Sequence, residues 1–436
     1  MSAKRHVIIG AGTAGINAIR TLRQLGDQGE IHLVSAESPY SRMVLPYYLE
    51  QAITEPHTVT ASPWDLDRWK VERHVGTRAV SLDSGANTVK LSNDEELAYD
   101  NLLIATGSSA ARPPIPGADD PGVHTFWTLK DAQGVNGGIS DKGHTVVIGA
   151  GFITFTILNA LISRSKKLTI IESEPRILPR MVDETAAGLV AECLTAQGVE
   201  LKTGARVSAI EASGAKRVVK LEGGESIKAD LVLLATGIRP NLDWLKGSGL
   251  NINQGIVVDD SLRSSVGNIY AAGDVAEGKN LITGKKEVHA IEPTAMEHGR
   301  VAAANMAGKQ VSYPGSFLMN IVGVAGLDVA SFGDWQGAGA EAITCHLPDR
   351  QVYRKFLFQG DRMTGAILAA PNHETWSEND LGMVKGMIQS GVGLGAWKEY
   401  LKDNPFGVKK AYLANKAVGN LLPRTMLGQP SQSPRA

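Results

Sequence analysis

Gly10, Gly12 and Gly15, spaced as GxGxxG, and Glu37 at the end of the next apolar string are residue types that can hold a dinucleotide. Glycine at 10 permits a tight turn, at 12 leaves no side chain between backbone and a pyrophosphate, and at 15 lets a helix pack close to its strand. A carboxylate at Glu37 would accept hydrogen bonds from a ribose diol, which points to an unphosphorylated ribose. This chemistry needs a strand to deliver the glycines and a helix to follow them. Apolar His6 to Ile9 reads as that strand, Ile16 to Leu25 as the amphipathic helix, and Ile31 to Ser35 as the second strand that brings Glu37 into place.

Length and composition bound what such a site could serve. The chain has 436 residues, enough for about three domains, each with its own core. Its 44 basic and 45 acidic residues leave a net charge of -1, which gives no global attraction to nucleic acid or anionic membrane. Cys193 and Cys345 are the only cysteines, a usage that argues for a reducing compartment and against a disulfide framework. No leader is expected ahead of the first strand. Gly149 and Gly151 interrupt the apolar run Thr145 to Ile162, so strand, turn and helix explain it better than a transmembrane segment. The expectation is a soluble, cytoplasmic protein.

After Glu37, Ser38 to Leu49 is too rich in proline and aromatics for a first-turn helix and reads as a wall, with Arg42 able to meet a phosphate or a ring edge. Short strands are predicted from His74 to Asp83 and from Thr88 to Leu91. A buried strand, Tyr99 to Ile104, then ends in the small residues Ala105-Thr106-Gly107, which let a dinucleotide approach. Pro113, Pro114 and Pro116 make Ala111 to Gly117 a stiff linker. Beyond it the plan repeats: strand Thr145 to Ile148, Gly149-Ala150-Gly151, a helix to about Ser163, strand Leu168 to Ile171, and Glu172 at its end. A second Ala-Thr-Gly, Ala235-Thr236-Gly237, follows the first at nearly the offset that separates Gly149 from Gly10. Two copies of one plan mean two dinucleotides, or one working site and one relic.

Ile238-Arg239-Pro240-Asn241 and Asn268 to Asp274 complete a series. GxGxxG, ATG, a second GxG, ATGxRPN and NIYAAGD in this order resemble the two-dinucleotide flavoproteins of the pyridine nucleotide-disulfide oxidoreductase family, above all rubredoxin and ferredoxin reductases and the flavin portion of nitrite reductase. The likeness runs from about Lys4 to Gly308. It implies an α/β fold with two Rossmann-like dinucleotide-binding domains, the NAD domain inserted in the FAD domain, plus a C-terminal α+β interface domain. The boundaries it implies are 1–112 and 246–312 for FAD, 113–245 for NAD(P), 313–403 for the interface domain, and 404–436 for a basic tail. It implies FAD held by Gly10, Gly12, Thr13, Ala14, Gly15, Glu37, Arg42, Val80, Ala105, Thr106, Gly107, Gly273, Asp274, Thr294 and Ala295. Asp274 would meet the ribityl chain, and the helix after Thr294 would aim its N-terminus at the flavin pyrimidine ring. NADH would be held by Gly149, Gly151, Phe152, Ile153, Glu172 and Gly237, with Glu172 repelling the 2′-phosphate of NADPH.

Two departures from that family carry weight. Its disulfide-reducing and peroxide-reducing members place a cysteine beside the flavin in the first domain; this chain has none there, and Met43 occupies the loop where some relatives carry it. Cys193 and Cys345 read as small apolar residues, so thiol chemistry at the flavin is not expected. In the second unit the pattern GxGxxGxExA becomes GAGFITFTIL: Thr154 replaces the packing glycine and should push helix from strand, and Thr156 replaces a glutamate near the nicotinamide.

The C-terminal part is predicted to hold strands at Asp328 to Ser331, Ala342 to His346 and Val352 to Phe358, then Gly365 to Ala370, and helices near Leu381 to Gly391 and Leu394 to Leu401. His373 to Glu378, HETWSE, faintly resembles the HPTxSE acid/base motif but has no disulfide to serve. Ten histidines without HxH or HExxH, and no cysteine cluster, lead to the expectation of no metal. Past Asp403 the tail carries Lys409, Lys410, Lys416, Arg424 and Arg435 and no acid, with Val408, Tyr412, Leu413 and Val418 at near-helical spacing. The function expected is an FAD-dependent NADH oxidoreductase passing electrons to a separate acceptor, a protein carrier such as rubredoxin or ferredoxin, with room for a homodimer. The alternative is a flavoprotein subunit of a larger electron-transfer complex whose nicotinamide site is vestigial.

Overall fold

The computed structural model describes residues 4–417 and Leu421, with the side chains of 375–378 outside the described set. The most apolar strings of the chain become the centres of two parallel sheets, because a strand covered on both faces must bury nearly every residue. The first sheet runs Ile269–Ala271, Asn101–Ile104, Arg5–Ile9, Glu30–Ser35, Val71–Val75. The second runs Glu200–Lys202, Lys167–Ile171, His144–Ile148, Leu231–Leu234, Val123–Thr125. Each central strand leads through its glycine turn into a helix, Thr13–Gln24 or Phe152–Arg164. Each unit also carries a three-stranded antiparallel meander, Ala79–Asp83 with Thr88–Leu91 and Glu96–Ala98, or Val207–Ser213 with Lys216–Leu221 and Ser226–Ala229. The repeat in the sequence is a repeat of architecture.

The edge strand Ile269–Ala271 of the first sheet comes after the whole of the second sheet, so the second unit is an insertion in the first. Ser108–Ala110, leading out, and Ile238–Pro240, leading back, pair antiparallel and tie the crossing together. Returning chain supplies the helix Glu292–Met306, which lies against Thr13–Gln24. Gly299 makes that approach feasible, since a Cβ there would overlap the backbone of Ala14.

The remaining chain folds as a five-stranded antiparallel sheet, in order Met319–Val324, Leu327–Gly333, Arg362–Pro371, Val352–Gln359, Glu341–Leu347. One face packs under the helices Thr375–Ser390, Ala396–Asp403 and Val408–Ala414. The other shares a core with the second unit: Val322, Val329, Tyr353 and Ile367 lie in one buried cluster with Phe155, Leu158 and Leu161. Helix Phe152–Arg164 is thus covered on both sides, and this double burial explains the apolar run beginning at Thr145. Among the described residues no helix is long and apolar enough to cross a membrane.

Several expectations need correction. The wall after Glu37 contains a 3-10 turn, Arg42–Val44, and a short helix, Leu45–Leu49, whose Pro46 sits in the first turn, where a missing N–H costs nothing. Strand Met319–Val324 adds to the expected set: Asn320 and Gly323 interrupt its apolar string, and Ile321 is exposed. Part of the stretch expected as a tail is packed structure: Val408, Ala411 and Ala417 are fully buried in the C-terminal core. Val418, Arg424 and Arg435 lie outside the described residues, as do the side chains of Thr375 to Glu378 in the HETWSE stretch.

Candidate active site

A single cleft of about 1630 Å³ runs along the C-terminal ends of both parallel sheets and is closed on one side by Leu318 to Ile321 of the C-terminal domain. That volume exceeds the ~300–1,000 Å³ usual for one small ligand, as two dinucleotides in one groove require. Gly10 has φ +115°, and a Cβ there would overlap the carbonyl oxygen of Ala105. Gly12 differs: a Cβ would meet nothing within 4 Å, because it would stand in the cleft where a pyrophosphate belongs. The residues present therefore fit a dinucleotide at the first turn.

Of the residues expected around FAD, Gly10, Gly12, Thr13, Ala14, Glu37, Arg42, Ala105, Thr106, Gly107, Gly273, Asp274 and Ala295 line the cleft. Three do not. Gly15 is buried under the Gly10 carbonyl, where any side chain would collide, so its part is helix packing. Thr294 is buried in the helix beside Pro293 and Ala295, which do line the cleft. Val80 is 44% exposed and does not line the cleft; the pairing of its strand is irregular between Ala79 and Ser81, and Thr77, Arg78 and Ala79, just ahead of it, line the cleft in its place.

Polar groups converge on this half. Glu37 accepts from Tyr40 Oη (3.0 Å) and from Arg42 (3.0 Å). Arg42 also lies 5.6 Å from the Trp127 ring centre, and the Trp127 indole N–H donates to the Ser108 carbonyl at 2.7 Å. Burial opposes the charge of Arg42, but Tyr40 and Glu37 outweigh it and hold its pKa above the usual value. Asp274 accepts from Ser108 Oγ at 2.6 Å. Burial raises its pKa, against the pull of Ser108 and Arg42. Thr13 Oγ1 donates to Glu292 at 3.1 Å, joining the first glycine turn to the N-terminus of helix Glu292–Met306. Asn241, at the end of the ATGxRPN string, donates to the Thr106 carbonyl (2.8 Å) and accepts from Ser109 Oγ (2.7 Å), so the return strand braces the first ATG turn. Trp127 and Ser108 carry no recognisable spacing, and Asn241 closes the ATGxRPN string; none of the three is among the predicted site residues.

In the second half, Gly149, Gly151, Phe152, Ile153, Glu172 and Gly237 all line the cleft. Glu172 is nonetheless largely committed to the protein. Its carboxylate accepts from the Ala150 N–H (2.7 Å), the Glu174 N–H (2.9 Å) and Ser173 Oγ (3.1 Å), and it is buried. Strand register explains why. Gly10 N–H donates to Val34 and Gly149 N–H to Ile171, so Glu174 stands after Ile171 where Glu37 stands after Val34. Glu174 is exposed and lines the cleft. Glu172 holds the turn, and Glu174 stands at the register position that Glu37 has in the first unit.

Thr154, at the register position of Gly15, is fully buried, and its hydroxyl donates to the Gly149 carbonyl at 2.6 Å. In the first helical turn Phe155 N to Gly151 O is 3.4 Å against 3.0 Å for Ile16 N to Gly12 O, a looser bond within the helix at the end where the threonine replaces glycine. A hydrogen bond to the obstructing carbonyl accommodates the threonine. Thr156 lines the cleft, with its hydroxyl on the Ile153 carbonyl at 2.7 Å. Neither cysteine lines the cleft; burial raises the pKa of Cys193, whose Sγ lies 3.1 Å from Gln351 Nε2.

Comparison with known proteins agrees with this geometry. The profile described as pyridine nucleotide-disulphide oxidoreductase matches residues 4–310. The epsilon subunit of NADH-dependent phenylglyoxylate dehydrogenase from Aromatoleum evansii is 32% identical, over 82% of this chain and 86% of its own. Rubredoxin-NAD(+) reductase of Pseudomonas putida is 34% identical, over 71% and 81%. Among solved structures, the covalent putidaredoxin reductase-putidaredoxin complex superposes with a TM-score of 0.85 at 24% identity, covering 96% of this chain and all of that one, a likeness of fold. The chain belongs to the pyridine nucleotide-disulphide oxidoreductase family, as an NAD(P)H oxidoreductase whose cofactors are FAD and a nicotinamide dinucleotide.

Proposed function

We propose that the protein takes electrons from NADH at the second glycine turn and delivers them, by way of FAD at the first, to a separate redox protein, with no cysteine of its own taking part. The observation that carries this reading is continuity: Gly12 and Gly151, the two phosphate-facing glycines, open into the same cleft. FAD, when bound, supplies acceptance of a hydride equivalent and its release as electrons. The chain's share is placement and shielding. Arg42, held by Glu37 and stacked toward Trp127, brings a fixed positive charge to the cleft, and Pro293 and Ala295 present the first turn of a helix, whose partial positive charge favours an anionic ring. Exposed Glu174 and buried Glu172 favour an unphosphorylated ribose.

The likeness to rubredoxin-NAD(+) reductase favours a small iron–sulfur carrier as acceptor. A second reading, in which the acceptor is another subunit of one assembly, draws on the epsilon subunit, which matches more of this chain than the rubredoxin enzyme does. Anaerobic titration with NADH, followed by flavin absorbance near about 450 nm, tests both. Saturable bleaching is expected, unchanged in the Cys193→Ser/Cys345→Ser double variant, followed by reoxidation on adding an oxidised rubredoxin-class protein. Bleaching without such reoxidation supports the subunit reading. A flavin still oxidised at about 1 mM NADH, the upper end of ordinary KM values, sinks the proposal.

A further inference from the structure

The absence of HxH and HExxH spacings pointed away from metal, but adjacent strands bring together what the linear sequence separates. His32 on Glu30–Ser35 and Glu72 and His74 on the neighbouring edge strand Val71–Val75 lie on one face, with His32 opposite Glu72 in register and His74 two positions on. Their candidate ligand atoms all fall within 4.8 Å of one another. His32 Nδ1 and His74 Nε2 are 3.2 Å apart, and Glu72 Oε2 is 3.8 Å from His32 Nδ1.

We propose that His32, His74 and Glu72 form a binding site for a divalent transition-metal ion of the zinc class, separate from the dinucleotide cleft. Two nitrogens and one carboxylate oxygen are a donor set for such an ion, with a fourth position left for water. The ring centres are 5.5 Å apart. Their planes are 22° apart, so the rings must turn for one ion to lie in both planes at the ~2.0–2.1 Å usual for zinc–nitrogen bonds. As the rings stand, their nitrogens share one N–H···N hydrogen bond, which the cation would replace. The outer nitrogens are provided for: His74 Nδ1 lies 3.2 Å from Glu95 Oε2, and His32 Nε2 lies 3.8 Å from Glu30 Oε2. Carboxylates behind ligating imidazoles fix their tautomers and strengthen them as donors. Both histidine side chains are 9% exposed while Glu72 is 66% exposed, so the nitrogens are preorganised and the ion has an entry path.

The site would join three pieces of backbone: the second strand, the edge strand and, through Glu95, the meander turn. The edge strand runs directly into Thr77, Arg78 and Ala79, which line the cleft. The test uses the full-length flavin-loaded protein titrated with Zn²⁺ against a chromophoric chelator, and with Co²⁺ while recording visible d–d bands. One equivalent is expected to bind in the parent. Affinity should fall at least tenfold in His74→Ala and severalfold in Glu72→Gln, an exposed change that leaves the fold intact, with intense tetrahedral-type Co²⁺ bands lost in both. His57→Ala, removing an exposed histidine elsewhere, should change nothing. Binding equally strong in His74→Ala and Glu72→Gln, or no stoichiometric binding in the parent, overturns the proposal.

Discussion

Replacing Thr154 by glycine restores the family's residue at a turn that has been rebuilt around threonine, and the structure predicts harm rather than repair. The side chain is fully buried and does not line the cleft, and its hydroxyl occupies the Gly149 carbonyl at 2.6 Å. Thr154→Gly removes that hydrogen bond, about 0.5–1.5 kcal/mol, and a buried methyl group, about 0.8 kcal/mol. The lower helix propensity of glycine adds a few tenths of a kcal/mol. The second unit should lose ~2–3 kcal/mol, lowering its melting temperature by roughly 2–4 °C for each kcal/mol. NADH affinity should change little, because the dinucleotide is approached by the Gly151 backbone. Differential scanning calorimetry and NADH titration on the parent, Thr154→Gly and Thr154→Ser measure both effects, and serine, which keeps the hydroxyl, should recover about half of the loss. A glycine variant as stable as the parent that binds NADH tenfold more tightly would refute the reasoning and make Thr154 a strain instead of a fastening.

Glu174→Ala should weaken NADH binding about tenfold, roughly 1.4 kcal/mol, and leave melting unchanged, whereas Glu172→Ala should lower melting of the second unit by freeing the Ala150 and Glu174 N–H groups; equal effects on binding with none on melting would return the ribose contact to Glu172. His298 is fully buried, neither ring nitrogen has a partner, and burial, aided by His289, pushes its pKa down to about 3. A depressed histidine leaves the unfolded chain binding the proton first, so stability is intact above about pH 6.5 and is lost as pH falls toward 3, by roughly 3 kcal/mol at pH 4 at 1.36 kcal/mol per unit. Unfolding by denaturant at pH 7 and pH 4 should show that loss in the parent and a much smaller one in His298→Leu; identical acid losses in the two proteins would refute it.

The two-unit plan was readable because its signals are local: glycines at fixed offsets from a buried strand at Gly10, and the same string again at Gly149. The contents of the site were less readable wherever they depend on register or on distant chain. Glu172 follows its strand immediately and is visible in the sequence, whereas Glu174 is found only by counting from Ile171, which places it opposite Glu37. Asn241 acts 135 residues away on Thr106, and His32 meets His74 across a strand pair 42 residues apart. No pattern along the chain encodes those meetings. Val80 sits where the strand pairing shifts register, between Ala79 and Ser81, and such an irregularity leaves no mark along the sequence. Pro46 argued against helix as a general rule, but the first helical turn is the one place the rule does not apply.

Helix Phe152–Arg164 lies between its own parallel sheet and strands that begin only at Met319, after the rest of the second unit and the whole return of the chain to the first. On the ribosome, at about 5–20 residues per second, that interval leaves one apolar side of the helix without its cover for about 8 to 30 s. The nicotinamide unit is therefore made early and finished late. Any truncation before Met319 leaves a helix that is apolar nearly all round half exposed, and the natural fate of such a surface is association with a chaperone or with another copy. The same sandwich limits how this chain can evolve. Even in a descendant that no longer bound NADH, the second unit could not be discarded, because the C-terminal domain is assembled on its back.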